Sequence, residues 1–373
     1  MSTITLRRLF GVLAHVDAGK TTVSERILFM SGRFHRIGEV HHGTTQLDHT
    51  AEEKSHGITI TAAATTTSWN GHMLSLIDTP GHIDFAIEVE RSLRVLDGAI
   101  VVIASSRGVE PQTESVWRQA ERHRVPRVVF LNKLDAPGAS VERSLDSLRS
   151  RLHARPVLLQ TVRLDGALID LVEPRVLEFS PGGELLASPC PAPVERERLI
   201  ETVAEHDAAL LSHWVSGQQV SAELLRAAIR RTCLSHALAP VLCGAALKNR
   251  GIQPLLDAVV HYLPSPADRA LPEGLTASPT APTCAFVFKT EVDSHVGTQA
   301  WVRVFQGTVS PGDTLFSPAS SQTERVSRVM GLHGGRFEPL QSLGPGEIGA
   351  SLFFLCPTDF RPDLRRPASS SAR

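Results

Sequence analysis

Ala14, His15, Val16, Asp17, Ala18, Gly19, Lys20 and Thr21 run consecutively, and the Gly-Lys-Thr end of this run has the spacing of a phosphate loop with alanine in place of the first glycine. A nucleoside triphosphate carries several negative charges. Backbone N–H groups, a helix N-terminus and one lysine can hold them with little reorganisation. In that chemistry Lys20 bridges the terminal phosphates and the Thr21 hydroxyl is a ligand for Mg²⁺. An apolar run, residues 9–14, precedes the loop and a helical pattern opens near Thr21, so the context is strand, loop, helix.

Asp78, Thr79, Pro80, Gly81 and His82 follow another apolar run, residues 73–77. An aspartate leaving a strand beside a phosphate loop can hold Mg²⁺ through water, and Gly81 lets a backbone amide approach the last phosphate closely. Asn132, Lys133, Leu134 and Asp135 close a further strand, residues 127–131. The Asp135 carboxylate can accept from both N1–H and the exocyclic amine of guanine. Asn132 would tie the base to neighbouring loops, and the Lys133 stem would pack over the ring. A pocket built on such paired bonds rejects a base lacking them by roughly 10⁴-fold. Taken alone, the tetrapeptide reads as a solvated loop; three motifs in this order, each at a strand end, read as one pocket. Gly57, Ile58 and Thr59 form a fourth element with two readings: a loop ordering around Mg²⁺ and the γ-phosphate, or the start of a threonine-rich edge strand.

Strands must therefore position these loops. Residues 9–14, 73–77, 99–104, 127–131 and 241–243 are short apolar runs alternating with amphipathic segments such as Val141, Leu145, Leu148 and Leu152, and Pro111 suits a first helical turn. The expected fold is α/β, a doubly wound, mostly parallel sheet. Residues 1–264 are read as this domain, with an insertion at about 161–239 that holds a Gly/Pro-rich piece, 180–193, and helices from Val194. Residues 265–283, with repeated prolines, are read as a semi-rigid linker. Alternating residues and the Pro311-Gly312-Asp313 turn give a small all-β barrel at 284–356, and 357–373 has the composition of a disordered tail.

The 373 residues suit two or three domains, and a formal charge of −1 supplies no global attraction to a polyanion. Apolar runs such as 99–104 are far shorter than the roughly 20 residues a membrane-spanning helix needs, and the first ten residues leave no room for a signal peptide. The five cysteines, Cys190, Cys233, Cys243, Cys284 and Cys356, never form Cys-x-x-Cys, which fits a reducing compartment without disulfides or a zinc knuckle.

With these motifs in hand, the sequence resembles the translational GTPases of the elongation factor G family from Leu6 to about Gly349. The resemblance rests on segments 14–21, 37–41, 57–61, 78–85, 89–98, 116–120, 132–135 and 251–266. Residues 240–266 are also similar to the branch, mitochondrial and bacterial, that assists ribosome recycling. The resemblance implies GTP and GDP as ligands with Mg²⁺, Thr59 sensing the γ-phosphate through the metal, and His82 positioning the attacking water when a ribosome engages. It implies a monomer whose partners are ribosomal RNA and the proteins of the factor-binding site, in the cytoplasm or the mitochondrial matrix, acting in elongation or recycling.

Three departures stand against it. Gly244, Ala245 and Ala246 replace the usual Gly-Ser-Ala; Ala246 can still present its amide to guanine O6, but the lost hydroxyl removes a hydrogen bond of ~1 kcal/mol, so weakened guanine binding is expected. His42 stands where the family commonly has aspartate. After Gly349 the similarity stops, and no counterpart of the family's three later domains is expected, nor productive translocation. Two rival readings follow: a non-catalytic ribosome-binding competitor or regulator, and a nonfunctional truncated remnant.

Overall fold

Strands buried on both faces must be apolar along their length, and this sheet is built from such runs. The computed structural model describes residues 3–33, 63–80, 85–269, 271, 274–293, 297–318, 321–333 and 336–353. Phe10–Pro264 makes one compact unit, and Met1–Leu9 with Ser265–Arg373 a second. The former contains β1 (Arg7–Ala14) from Phe10 onward, α1 (Lys20–Met30), β2 (Ala63–Trp69), β3 (His72–Asp78), α2 (Ala86–Leu93), β4 (Gly98–Ala104), α3 (Pro111–Arg122), β5 (Arg127–Asn132) and α4 (Val141–Leu152). It continues through β6 (Pro156–Leu158), β7 (Gln160–Val162), β8 (Leu168–Asp170), β9 (Arg175–Phe179), β10 (Leu185–Pro189), α5 (Val194–Ala204), α6 (Ala208–Val215), α7 (Ala222–Leu234), β11 (Ala239–Cys243) and α8 (Ile252–Tyr262). The sheet order in this unit is β2-β3-β1-β4-β5-β11-β6.

β2 and β3 are antiparallel, whereas β1/β4, β4/β5, β5/β11 and β11/β6 are parallel. The expected α/β sheet is present. Register sets Ala14 beside Val102, Ala104 beside Asn132 and Leu131 beside Cys243, so four carboxyl ends finish side by side. The order reverses at β1, where an open α/β sheet forms its crevice. Local chemistry starts the helices: Pro111 opens α3, and the Ser140, Asp207 and Ser221 side chains accept from the amides of Arg143, Leu210 and Leu224.

The sequence reading did not include β6, which adds an edge to the sheet, or the insertion's own antiparallel sheet, ordered β10-β9-β8-β7. β10 lies inside the stretch read as Gly/Pro-rich. Its partner β9 supplies all its pairing, so local composition hid a hairpin. Leu171, Leu199, Val203, Leu225 and Ile229 of the insertion share one buried cluster with Phe10, Val128 and Phe130 of the central sheet.

The second unit is antiparallel: β12 (Cys284–Asp293), β13 (Gly297–Gln306), β14 (Thr314–Ser317), β15 (Gln322–His333), β16 (Arg336–Pro339) and β17 (Ile348–Phe353). Its order is β12-β13-β17-β15, with β14 and β16 also on β15, around Ala300, Val302, Val304, Val326 and Val329. The stretch read as a linker is tied to the end of β13. Gln306 Oε1 accepts from Thr276 N at 2.6 Å, Gln306 Nε2 donates to Pro282 O at 2.8 Å, and Gly307 N donates to Ser278 O at 2.8 Å. Residues 357–373, read as a tail, and Cys356 lie outside the described residues. Cys190, Cys233, Cys243 and Cys284 are free thiols, and burial pushes Cys233 and Cys243 up to about 12. No helix of the described residues is long and apolar enough to cross a membrane.

Phe130 is fully buried in β5 and supports the turn after β11, since a Cβ on Gly244 would stand 2.5 Å from its Cζ. Phe130→Ala should cost about 3–5 kcal/mol. Urea unfolding checks this, and an unchanged midpoint would contradict it.

Candidate functional site

The loop after β1 is shaped by two left-handed residues, Asp17 at φ 64 and Gly19 at φ 93. Asp17 adopts a region that few non-glycine residues enter. For Gly19 the demand is double, because a Cβ there would also lie 2.4 Å from Asn132 Nδ2. The loop closes on itself through Ala18 N to His15 O at 3.2 Å, and Gly19 O accepts from Val23 N at 2.9 Å. Amides that emerge at the start of α1 are the usual means of holding an anion.

Lys20, first residue of α1, donates to Asp78 Oδ2 at 2.5 Å, and Ser24 Oγ donates to Oδ1 of the same carboxylate at 2.8 Å. Asp78 is fully buried and Lys20 nearly so. The pairing neutralises a charge that the interior would otherwise penalise. Ser24 was not foreseen; its only signal was a hydroxyl one helical turn after Lys20. Thr21 is buried beside Lys20. Thr79, within the Asp78–His82 motif, uses its hydroxyl to donate to Val12 O at 2.8 Å. The reason is structural, since β3 must be held to β1 where it exits. Pro80 follows at the end of the described run.

Asn132 is buried at the carboxyl end of β5 and spends its amide on two loops. Nδ2 donates to Ala18 O and Oδ1 accepts from Ala246 N, both at 2.9 Å. The Ala246 amide, read from the sequence as a donor to guanine O6, donates here to Asn132, which satisfies that buried oxygen. Lys133 sits at φ 60, and Leu134 N donates to Gly244 O at 3.2 Å, which keeps the turn bearing the exposed Asp135 alongside Gly244. Ala245 pairs with Arg250 through two backbone bonds of 3.1 Å, closing the loop that carries Ala246.

Sequence reasoning also missed the support from α3. Val16 N donates to Gln112 Oε1 at 2.9 Å, His15 Nδ1 lies 3.2 Å from Thr113 Oγ1, and His15 Nε2 lies 3.0 Å from Glu110 Oε2. The available signal was a set of polar residues, Glu110, Gln112 and Thr113, just beyond β4. His15 is almost wholly buried, and burial lowers its pKa from the ordinary 6.5 despite the nearby Glu110 carboxylate; Arg107 and Lys133 push the same way as burial.

Thr59, Gly81 and His82 lie outside the described residues, as do residues 37–41 and His42. Among the described residues no three His, Cys, Asp or Glu side chains group as a metal cluster. A cavity of about 300 Å³ lined by Trp117, Arg127, Cys233 and His236 opens at the opposite, amino-terminal edge of β5 and β11.

The family described as Elongation factor Tu GTP binding domain matches residues 5–265, and Elongation factor G domain 2 matches residues 282–352. An elongation factor G of Mycoplasma pneumoniae is 44% identical over 364 residues, covering 92% of this chain and 53% of that protein. A crystal structure of a Thermus thermophilus protein superposes with a TM-score of 0.82 at 29% identity, covering 92% of this chain and 52% of the other. The chain thus spans about half the length of the curated relative it matches.

Because the folded state keeps His15 neutral, the unfolded chain binds its proton more readily. Stability should therefore fall as pH drops through about 6.5 and be indifferent to His15 above it. Urea midpoints from pH 7.5 to 5.5 should decline more steeply for the natural chain than for His15→Gln; parallel declines would refute the assignment.

Proposed function

We propose, since this chain belongs to the elongation factor G family of translational GTPases, that it binds GTP and GDP with Mg²⁺ and hydrolyses GTP slowly, and faster on a ribosome. The observation that supports this best is the Asn132 side chain, which joins the phosphate loop to the Ala245–Ala246 loop next to the Lys20–Asp78 pair. One ligand with a purine at one end and phosphates at the other suits that arrangement.

In this reading Lys20 Nζ leaves Asp78 for the terminal phosphates, joined by the amides at the start of α1. Asp135 accepts from the guanine N1–H and amine. Thr21 Oγ1, and Asp78 through water, are the oxygen donors that would hold Mg²⁺, a cation that keeps several waters and takes only one or two protein ligands; once bound it would supply charge neutralisation for the phosphates. His82, one residue beyond Gly81, orients the water that attacks the γ-phosphorus in line, as the bond to the bridging oxygen breaks, GDP carries off the electron pair and the water's proton goes to the released phosphate. The partner is the ribosomal factor-binding site, RNA and protein, which places the chain in the cytoplasm or mitochondrial matrix.

Titration calorimetry with GDP, GTP and ADP in Mg²⁺ tests the ligand. GDP and GTP should bind and ADP should not, and Asp135→Ala should weaken GDP by at least ~10²-fold. Equal affinity for ADP and GDP would end the reading. Hydrolysis should rise when ribosomes are added and His82→Ala should remove that rise; a normal rate in the variant would take His82 out of the reaction.

A further inference from the structure

The insertion meets the loop that follows β11 at its start, its middle and its end. At the start, Gln160 Oε1 accepts from Cys243 N at 3.0 Å. In the middle, Asn249, nearly buried and in the left-handed region at φ 56, donates through Nδ2 to Pro181 O at 3.2 Å. At the end, Gln253 Nε2 donates to Gly183 O and lies 3.6 Å from Met30 Sδ of α1. The docking is close: a Cβ on Gly183 would stand 2.2 Å from Met30 Cε and 3.0 Å from Asn249 Cβ, and one on Gly166 would stand 2.9 Å from Arg250 Nη1.

The turn that makes these contacts is itself fixed. Ser180 N donates to Glu184 O at 2.9 Å, Gly183 N to Ser180 O at 2.9 Å, and Glu184 N to Ser180 Oγ at 3.0 Å. Arg250 carries the constraint onward, since its backbone closes the loop on Ala245, next to the Ala246 amide that Asn132 holds. A turn of the insertion therefore touches, at Asn249, the same loop whose Ala246 amide Asn132 holds.

We propose that the insertion acts on the nucleotide site, with the Pro181–Gly183 turn, Asn249 and Gln253 as positioning residues that set how long a guanine nucleotide is retained. The inference rests on the guanine reading above and goes beyond it by giving the insertion a task in nucleotide release. Displacing the turn would let the Ala245–Arg250 loop drift from Asn132, and so from the end of the site read as the base side, while the phosphate loop stays closed by its own backbone bonds. Small errors of position are costly in a site built on oriented bonds.

The test is stopped-flow release of a fluorescent GDP from the full chain, with tripolyphosphate competition as a second readout for the phosphate end. Asn249→Ala, which deletes one hydrogen bond, should speed release about fivefold, and Gly183→Val, which forces the turn away, about tenfold or more. Tripolyphosphate should compete as well as before. Gly217→Ala, at a left-handed turn of the insertion with open space around it, should release GDP at the natural rate. Natural release rates in both folded variants would overturn the inference, and so would equal weakening of GDP and tripolyphosphate, which signals general loosening. A natural chain that binds ADP as well as GDP would overturn the function reading and this inference with it.

Discussion

A single side-chain amide, that of Asn132, holds the site to its shape. The parallel register sets it beside Ala104 at the end of β5, and its two polar atoms face loops that are separated by more than two hundred residues in sequence. Buried polar groups need partners, so the amide also protects two backbone groups, the Ala18 carbonyl and the Ala246 N–H; leaving either unpaired costs about 1–3 kcal/mol. The bare backbone at Gly19 follows from the same constraint, because any side chain there would collide with Asn132 Nδ2. Strand register, the glycine and the asparagine are thus one requirement seen from three positions.

The Lys20–Asp78 pair is the second constraint. A lysine with so little exposure needs a countercharge, and the carboxylate at the end of β3 supplies it while Ser24 fills the remaining oxygen. A phosphate that displaces the carboxylate exchanges one anion for another, so the lysine is never left uncompensated and the desolvation of its ammonium has already been met by the fold. In the proposed reading such a site suits anions in general, and discrimination among them falls to Asp135.

Much of this was legible because the signals were local. The apolar runs ending at Ala14, Asp78, Ala104 and Asn132 announced strands, and glycine, lysine and carboxylate at their ends announced loops. Partnerships between distant segments were not legible. Nothing near Thr79 said that its hydroxyl would be spent on Val12, nor near Ala246 that its amide would turn to Asn132. β10 was hidden for the same reason: Leu185–Pro189 is short, mostly exposed and ends in proline, and it becomes a strand only because Arg175–Phe179 lies opposite. The proline-rich stretch before β12 reads as a spacer until Gln306 is seen holding it from both sides.

The buried thiols have a practical corollary. Cys243 ends β11, one residue before the loop assigned to the base, and Cys233 sits at the end of α7; neither ionises readily, and a thiolate is what alkylating reagents and peroxide attack. Cys190, at the edge of the insertion, is partly open to solvent. Cys284, at the start of β12, is partly open as well, though burial raises its thiol pKa. Among the described cysteines a maleimide dye would therefore mark Cys190 and Cys284 before it reached the strand end beside the pocket, and replacing Cys284 would leave a spectroscopic handle on the insertion.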